Sequence, residues 1–342
     1  MLFKKLVGFA TVLTLCLIML GAYVRLSDAG LGCPDWPGCY GKLSPLHASE
    51  HIKAAVAEQG GTHGPVSVAK AWKEMLHRYV ASFLGLLIVA IAVLAWRQRE
   101  RLQQSPWLTT ALVGVVCLQG AFGAWTVTLL LRPAIVTGHL IGGMLVLALL
   151  TWLWLRQTAP ARTVAPPAES RHVKQVARLG LLVVALQIVL GGWVSTNYAA
   201  VVCTSFPGCQ GSLWPDMEFN HAFHAVRELG ETPEGDMLNV ASLTAIHMVH
   251  RAGALVVAIV LAVLAIMLWR RPGMQVLALT LVAALTLQIG MGIGNVLLHL
   301  PLWLAVLHNG GAALLLMVLI LINYRLASRV HHYTPSKRFV QP

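Results

Sequence analysis

The chain has 342 residues, of which 57% are hydrophobic and 11% charged, against about 25% charged in an ordinary soluble domain. That composition excludes a water-solvated globular protein and demands a bilayer around most of the chain. The net charge of +12 reflects membrane topology and attraction to anionic lipid; nucleic acid is not implied.

Uncharged apolar runs of roughly 18 residues or more, each able to cross about 30 Å of hydrocarbon as a helix, lie near 6–24, 79–96, 106–131, 133–155, 179–196, 252–269, 273–298 and 302–324. None alternates with the period of two that a membrane barrel requires. The expected fold is therefore an all-α integral membrane protein with eight transmembrane helices. Lys4 and Lys5 before the first run suggest a signal peptide, but the apolar core is too long and no small-residue cleavage site follows, so the run is read as helix 1.

The basic residues set the orientation. The termini and the loops after helices 2, 4 and 6 hold 16 of the 25 cations, among them Lys4, Lys5, Arg97, Arg99, Arg101, Arg162, Arg329, Lys337 and Arg338, opposed only by Glu100 and Glu169. Both termini are thus expected to be cytoplasmic, with the long loops after helices 1 and 5 facing outward.

The chain is also written twice. Residues 21–45, GAYVRLSDAGLGCPDWPGCYGKLSP, align without gaps on 191–215, GGWVSTNYAAVVCTSFPGCQGSLWP, at an offset of 170. His77 and the apolar run behind it match His250 at offset 173, and Gln119 with His139 matches Gln288 with His308 at offset 169. This predicts two tandem pseudo-symmetric four-helix bundles in one orientation: an N-terminal half at 1–155, a cytoplasmic linker at 156–175 and a C-terminal half at 176–342.

Among 14 histidines, four recur at equivalent places. His77 is read as opening helix 2, and His139, six residues past Pro133, lies about 9 Å into the membrane at 1.5 Å per residue; His250 and His308 repeat them. All four are expected near the outer face. Polar side chains in a span are costly and have partners, and two histidines at matched depth on neighbouring helices can clamp a haem iron. Arg78 and Arg251 follow two of these histidines and suit haem propionates, or snorkel to the interface. His299 is read as interfacial, and Cys16 and Cys117 as small packed hydrophobes. The halves differ three residues before the first histidine, where EMLHR carries Glu74 and HMVHR carries His247. A carboxylate beside a ligand in one half only is a candidate acid or base, or an acidic residue of a first helical turn.

Taken together, LGCPDWPGC, EMLHR, VTGHL, AIHMVHR and AVLHNGG resemble the haem A synthase family, along essentially the whole chain. The resemblance implies oxidation of the C8 methyl of haem O to the formyl of haem A for terminal oxidases. It implies resident haem B on His250 and His308, substrate haem O on His77 and His139, and a reaction role for Glu74. On that reading the methyl passes through successive two-electron oxidations to a geminal diol that loses water. The implied partners are haem O, haem O synthase, an electron donor and acceptor, oxidase assembly factors, membrane lipid and a possible second copy of the chain. A paired-haem electron-transfer cytochrome would show the same four histidines but leave Glu74 without a purpose; a haem carrier is a third reading.

Cys33 and Cys39, with five residues between them, and their twins Cys203 and Cys209 fall on the outward, oxidising side. Position and duplication favour a local disulfide in each loop, since a zinc site would need four ligands from two separate loops. The resemblance also allows a redox role for Cys33 and Cys39.

Overall fold

The computed structural model describes residues 2–61, 64–102, 105–158 and 170–327. These form ten α-helices: α1 Leu2–Leu26, α2 Ser49–Glu58, α3 Val68–Arg97, α4 Arg99–Leu102, α5 Trp107–Thr128, α6 Pro133–Thr158, α7 Ser170–Thr196, α8 Val240–Trp269, α9 Gln275–Leu297 and α10 Leu302–Ala327. Eight of them, all but α2 and α4, are long and apolar enough to cross a membrane, so the protein is all-α and multi-pass. Most of the 156–175 linker, the cations Arg162, Arg329, Lys337 and Arg338, and His63, His331 and His332 lie outside the described residues.

Three helices begin nine or more residues earlier than hydropathy indicates. α3 and α8 start at Val68 and Val240 rather than at 79 and 252, and α7 starts at Ser170 rather than 179. Hydropathy registers where side chains leave hydrocarbon, whereas a helix runs until its backbone donors are capped. Ser67 Oγ accepts from the Lys70 amide at 3.2 Å, and Asn239 Oδ1 accepts from the Ser242 amide at 2.7 Å; each is an N-cap. His77 therefore does not open its helix. It sits nine residues inside α3, about 14 Å from its start, a depth compatible with His139 in α6.

α1, α3, α5 and α6 pack in a closed ring, and α7, α8, α9 and α10 form another. Val7, Leu84, Ile88, Ile91, Leu112 and Leu150 fill the first. In the second, Val184, Leu261, Leu264, Leu281 and Leu319 are joined by Met144 and Leu147 from α6. The outward faces stay apolar, with Phe83, Leu86, Leu255 and Ile259 exposed, as lipid-facing helices require. Cys16 and Cys117 also lie on exposed faces, so they are lipid-facing rather than packed inside.

The rings meet through α1, α6, α7 and α10. Glycines let the backbones approach: a Cβ on Gly192 of α7 would meet Leu140 of α6 at 2.9 Å, and one on Gly310 of α10 would meet Met19 of α1 at 3.0 Å. At one end, Arg25 Nη2 donates to the Ser195 carbonyl at 3.0 Å and its guanidinium lies 4.2 Å over the Tyr198 ring. The Tyr198 hydroxyl donates to Asp28 at 2.9 Å. Burial holds that hydroxyl above its ordinary pKa, with Arg25 opposing the effect.

Candidate functional site

The two cysteine loops are closed by disulfides, Cys33–Cys39 and Cys203–Cys209, as position and duplication suggested. In the first loop the Asp35 carboxylate accepts from the amides of Tyr40 at 2.6 Å and Gly41 at 2.7 Å. Gly41 and Gly211 turn their loops at φ +69° and +79°, a region open to glycine. Gly32 admits the first loop onto α3, since a Cβ there would stand 2.7 Å from the Ala71 nitrogen.

α3 holds this loop through Glu74 and Arg78. The Cys33 amide donates to Glu74 Oε2 at 2.9 Å. Arg78 Nη2 donates to Glu74 Oε1 at 2.5 Å, while Nη1 donates to the carbonyls of Asp35 at 2.8 Å and Gly38 at 2.5 Å. Glu74 is buried and is the seventh residue of α3, whose first turn has no acid; the helix-dipole explanation for it fails. In the second loop Arg251 Nη1 donates to the carbonyls of Pro207 at 3.1 Å and Gly208 at 2.7 Å. Its Nε and Nη2 are buried without a hydrogen-bond partner. Both arginines thus turn onto their own disulfide loops instead of snorkelling. His247, at the position matching Glu74, is buried with Nδ1 3.0 Å from the Ala199 carbonyl.

One turn along α3 from Glu74, the ring of His77 faces that of His139 on α6, with centroids 6.4 Å apart and planes at 74°. Two imidazoles sharing one metal, with bonds of about 2 Å and ring nitrogens about 1 Å from their ring centres, would place the centroids roughly 6 Å apart. The separation of the two rings is of that length. In the second ring of helices, His250 on α8 and His308 on α10 each stand against a glycine of a neighbouring helix, Gly191 and Gly292. Nδ1 of His77, His139 and His308 is buried with no hydrogen-bond partner, whereas Nε2 of His308 lies 3.4 Å from Gln288 Nε2.

Each histidine leans on a glycine of a neighbouring helix. A Cβ on Gly21, Gly123, Gly191 or Gly292 would meet Cε1 of His77, His139, His250 or His308 at 3.0, 3.3, 3.1 and 3.0 Å. Glutamines fix the turns: Gln119 Nε2 donates to the His139 carbonyl at 2.8 Å and Gln288 Nε2 to that of His308 at 3.0 Å. Sequence reading singled out these two but missed Gln187 on α7, which donates to the His250 carbonyl at 2.9 Å. Gln187 has no partner in the internal repeat; an uncharged polar residue inside an apolar span was the available signal. His299 lies just past α9 and is exposed.

Fold and site together define a polytopic helical membrane protein with two pairs of histidines inside its spans. The model of the COX15-CtaA family, described as a cytochrome oxidase assembly protein, matches residues 4–320. The chain is 42% identical over 322 residues to the Heme A synthase of Shewanella oneidensis, covering 93% of this chain and 95% of that protein. It is 29% identical over 345 residues to the Heme A synthase of Bradyrhizobium diazoefficiens, with 95% and 91% covered. The chain belongs to the COX15-CtaA family.

Proposed function

We propose that this chain is a membrane oxidoreductase that converts haem O to haem A by oxidising the C8 methyl to a formyl group. The observation that carries the reading is the facing pair His77 and His139, 6.4 Å apart, one helical turn from Glu74, a carboxylate with no counterpart beside His250. The name borne by its relatives, Heme A synthase, points to the same chemistry.

In this reading residues 1–155 form the substrate half and 176–342 the electron-transfer half. His77 and His139 hold haem O as substrate, and His250 and His308 hold haem B, which supplies one-electron transfer when bound. Glu74 keeps the Cys33–Cys39 loop seated on α3 through the Cys33 amide and Arg78, one helical turn from His77. Protonating the Glu74 carboxylate removes the charge that pairs it with Arg78, which couples proton uptake to the seating of the loop. Arg251, with free Nε and Nη2, is the better placed of the two arginines to pair with a propionate. The cation distribution supports an orientation with both termini in the cytoplasm and the disulfide loops and haem sites toward the outer side. Haem O synthase then supplies the substrate, oxidase assembly consumes the product, and an electron donor and acceptor complete the cycle.

Expression of the chain in cells that make haem O but no haem A tests this. The expected result is a formyl-bearing haem in the extracted pigments. Unchanged haem O refutes the enzyme and leaves a paired-haem cytochrome or a haem carrier.

A further inference from the structure

Three of the four paired histidines share a device that the fourth lacks. Gln119, Gln288 and Gln187 each donate from a neighbouring helix to the backbone carbonyl of a histidine, His139, His308 and His250 respectively. In each case the amide oxygen stands over a glycine three residues past that histidine, Gly142, Gly311 or Gly253, in space that a Cβ would fill. Glutamine and glycine are therefore one unit, because the glycine leaves the room that the amide occupies. In the second half the contact reaches the rings as well, with Gln187 Nε2 3.0 Å from Nδ1 of His250 and Gln288 Nε2 3.4 Å from Nε2 of His308.

His77 has neither part. The position matching Gln187 is Leu17 on α1, and the position matching Gly253 is Val80. The match holds in space: Gln187 precedes Gly191 by four residues and Leu17 precedes Gly21 by four, and those glycines abut Cε1 of His250 and His77. Residues four apart share a helix face, so Leu17 stands toward the His77 turn as Gln187 stands toward the His250 turn, but with no donor.

Resting on the haem-ligand reading above, we infer that the Gln187–Gly253 pair is a clamp that makes the haem on His250 and His308 resident, whereas Leu17 and Val80 leave His77 as the one unclamped ligand, through which haem at the first site exchanges. Hydrogen bonds that orient a metal-bound histidine change affinity about 10–100-fold when removed. A site that must admit one haem and release another needs a ligand that lets go, and Gln187 is accordingly a positioning residue of the retained site.

The test uses full-length protein reconstituted with haemin, timing haem loss to excess apomyoglobin. Each site is measured alone, in backgrounds carrying His77→Ala with His139→Ala, or His250→Ala with His308→Ala. Gln187→Leu with Gly253→Val is expected to speed loss from the second site by about tenfold or more, and Leu17→Gln with Val80→Gly to slow loss from the first by a similar factor. A damaged protein does not hold haem longer, so the reciprocal swap separates the clamp from misfolding. Gln187→Glu places a carboxylate beside the His250 ring and lowers the midpoint potential of that haem; an unmoved potential overturns the contact to the ring. Loss rates that ignore both swaps overturn the clamp alone. Haem content that does not fall when either histidine pair is removed, or that survives removal of both, overturns the haem reading, and the clamp with it.

Discussion

Replacing Glu74 by glutamine changes one buried carboxylate that holds two donors, the Cys33 amide at 2.9 Å and Arg78 Nη2 at 2.5 Å. The glutamine oxygen still accepts from Cys33, but the amide nitrogen cannot accept from Arg78. Stranding one member of a buried ion pair costs about 3–5 kcal/mol. Here Arg78 keeps the carbonyls of Asp35 and Gly38, so the loss falls nearer the about 1.5–3 kcal/mol of one charge-assisted bond. That weakens the seating of the Cys33–Cys39 loop roughly ten- to hundredfold. Hydrogen exchange of the amides of residues 33–43, followed by mass spectrometry, reads this directly and is expected to accelerate by that factor. Extracted haems from the same cells are expected to accumulate haem O or a hydroxylated intermediate. Unchanged loop exchange refutes the anchoring argument, and an unchanged haem A yield refutes the chemical one.

Other parts of the structure give further expected outcomes. Arg25→Ala removes a bond to the Ser195 carbonyl and a cation–π contact with Tyr198, together about 1–3 kcal/mol, and should lower the thermal midpoint in detergent; no shift would show that Arg25 does not tie α1 to α7. The Ser242 hydroxyl donates to Glu218 and holds its pKa below the usual carboxylate value, so this contribution is complete above the ordinary carboxylate pKa and is lost as pH falls through the lowered one. Exchange at the start of α8 should therefore rise on acidification below the ordinary carboxylate range, and an identical profile in Glu218→Gln contradicts the assignment. Cys203→Ser opens a loop whose cysteines are six positions apart, which loop-closure entropy values at about 2 kcal/mol; the expected result is a modest fall in thermal stability with haem A production retained.

The eight spans and the four histidines could be read from sequence because both depend on composition and spacing, which a duplicated chain states twice. The starts of α3 and α8 could not, because Lys70, Lys73 and Glu74 in α3 and His247, His250 and Arg251 in α8 interrupt the apolar run, while Ser67 and Asn239 cap helices that project beyond it. Arg78 illustrates a second limit: its place beside His77 suggested a propionate, but three loop carbonyls within its reach, of Asp35, Pro37 and Gly38, are set by tertiary approach. α2 escaped notice since its ten residues are too few and too polar for a span. Gln187 was hidden because its value lies in a contact with α8 and in the room made by Gly253, neither visible in one strand of text.

The central claim is a division of labour between two histidine pairs, and the haem species carried by purified variants test it most directly. Mass spectrometry of haems extracted from His250→Ala protein should show loss of haem B with haem O retained. His77→Ala protein should keep haem B and carry no haem O or haem A. The same mixture of haems in both variants would contradict the account.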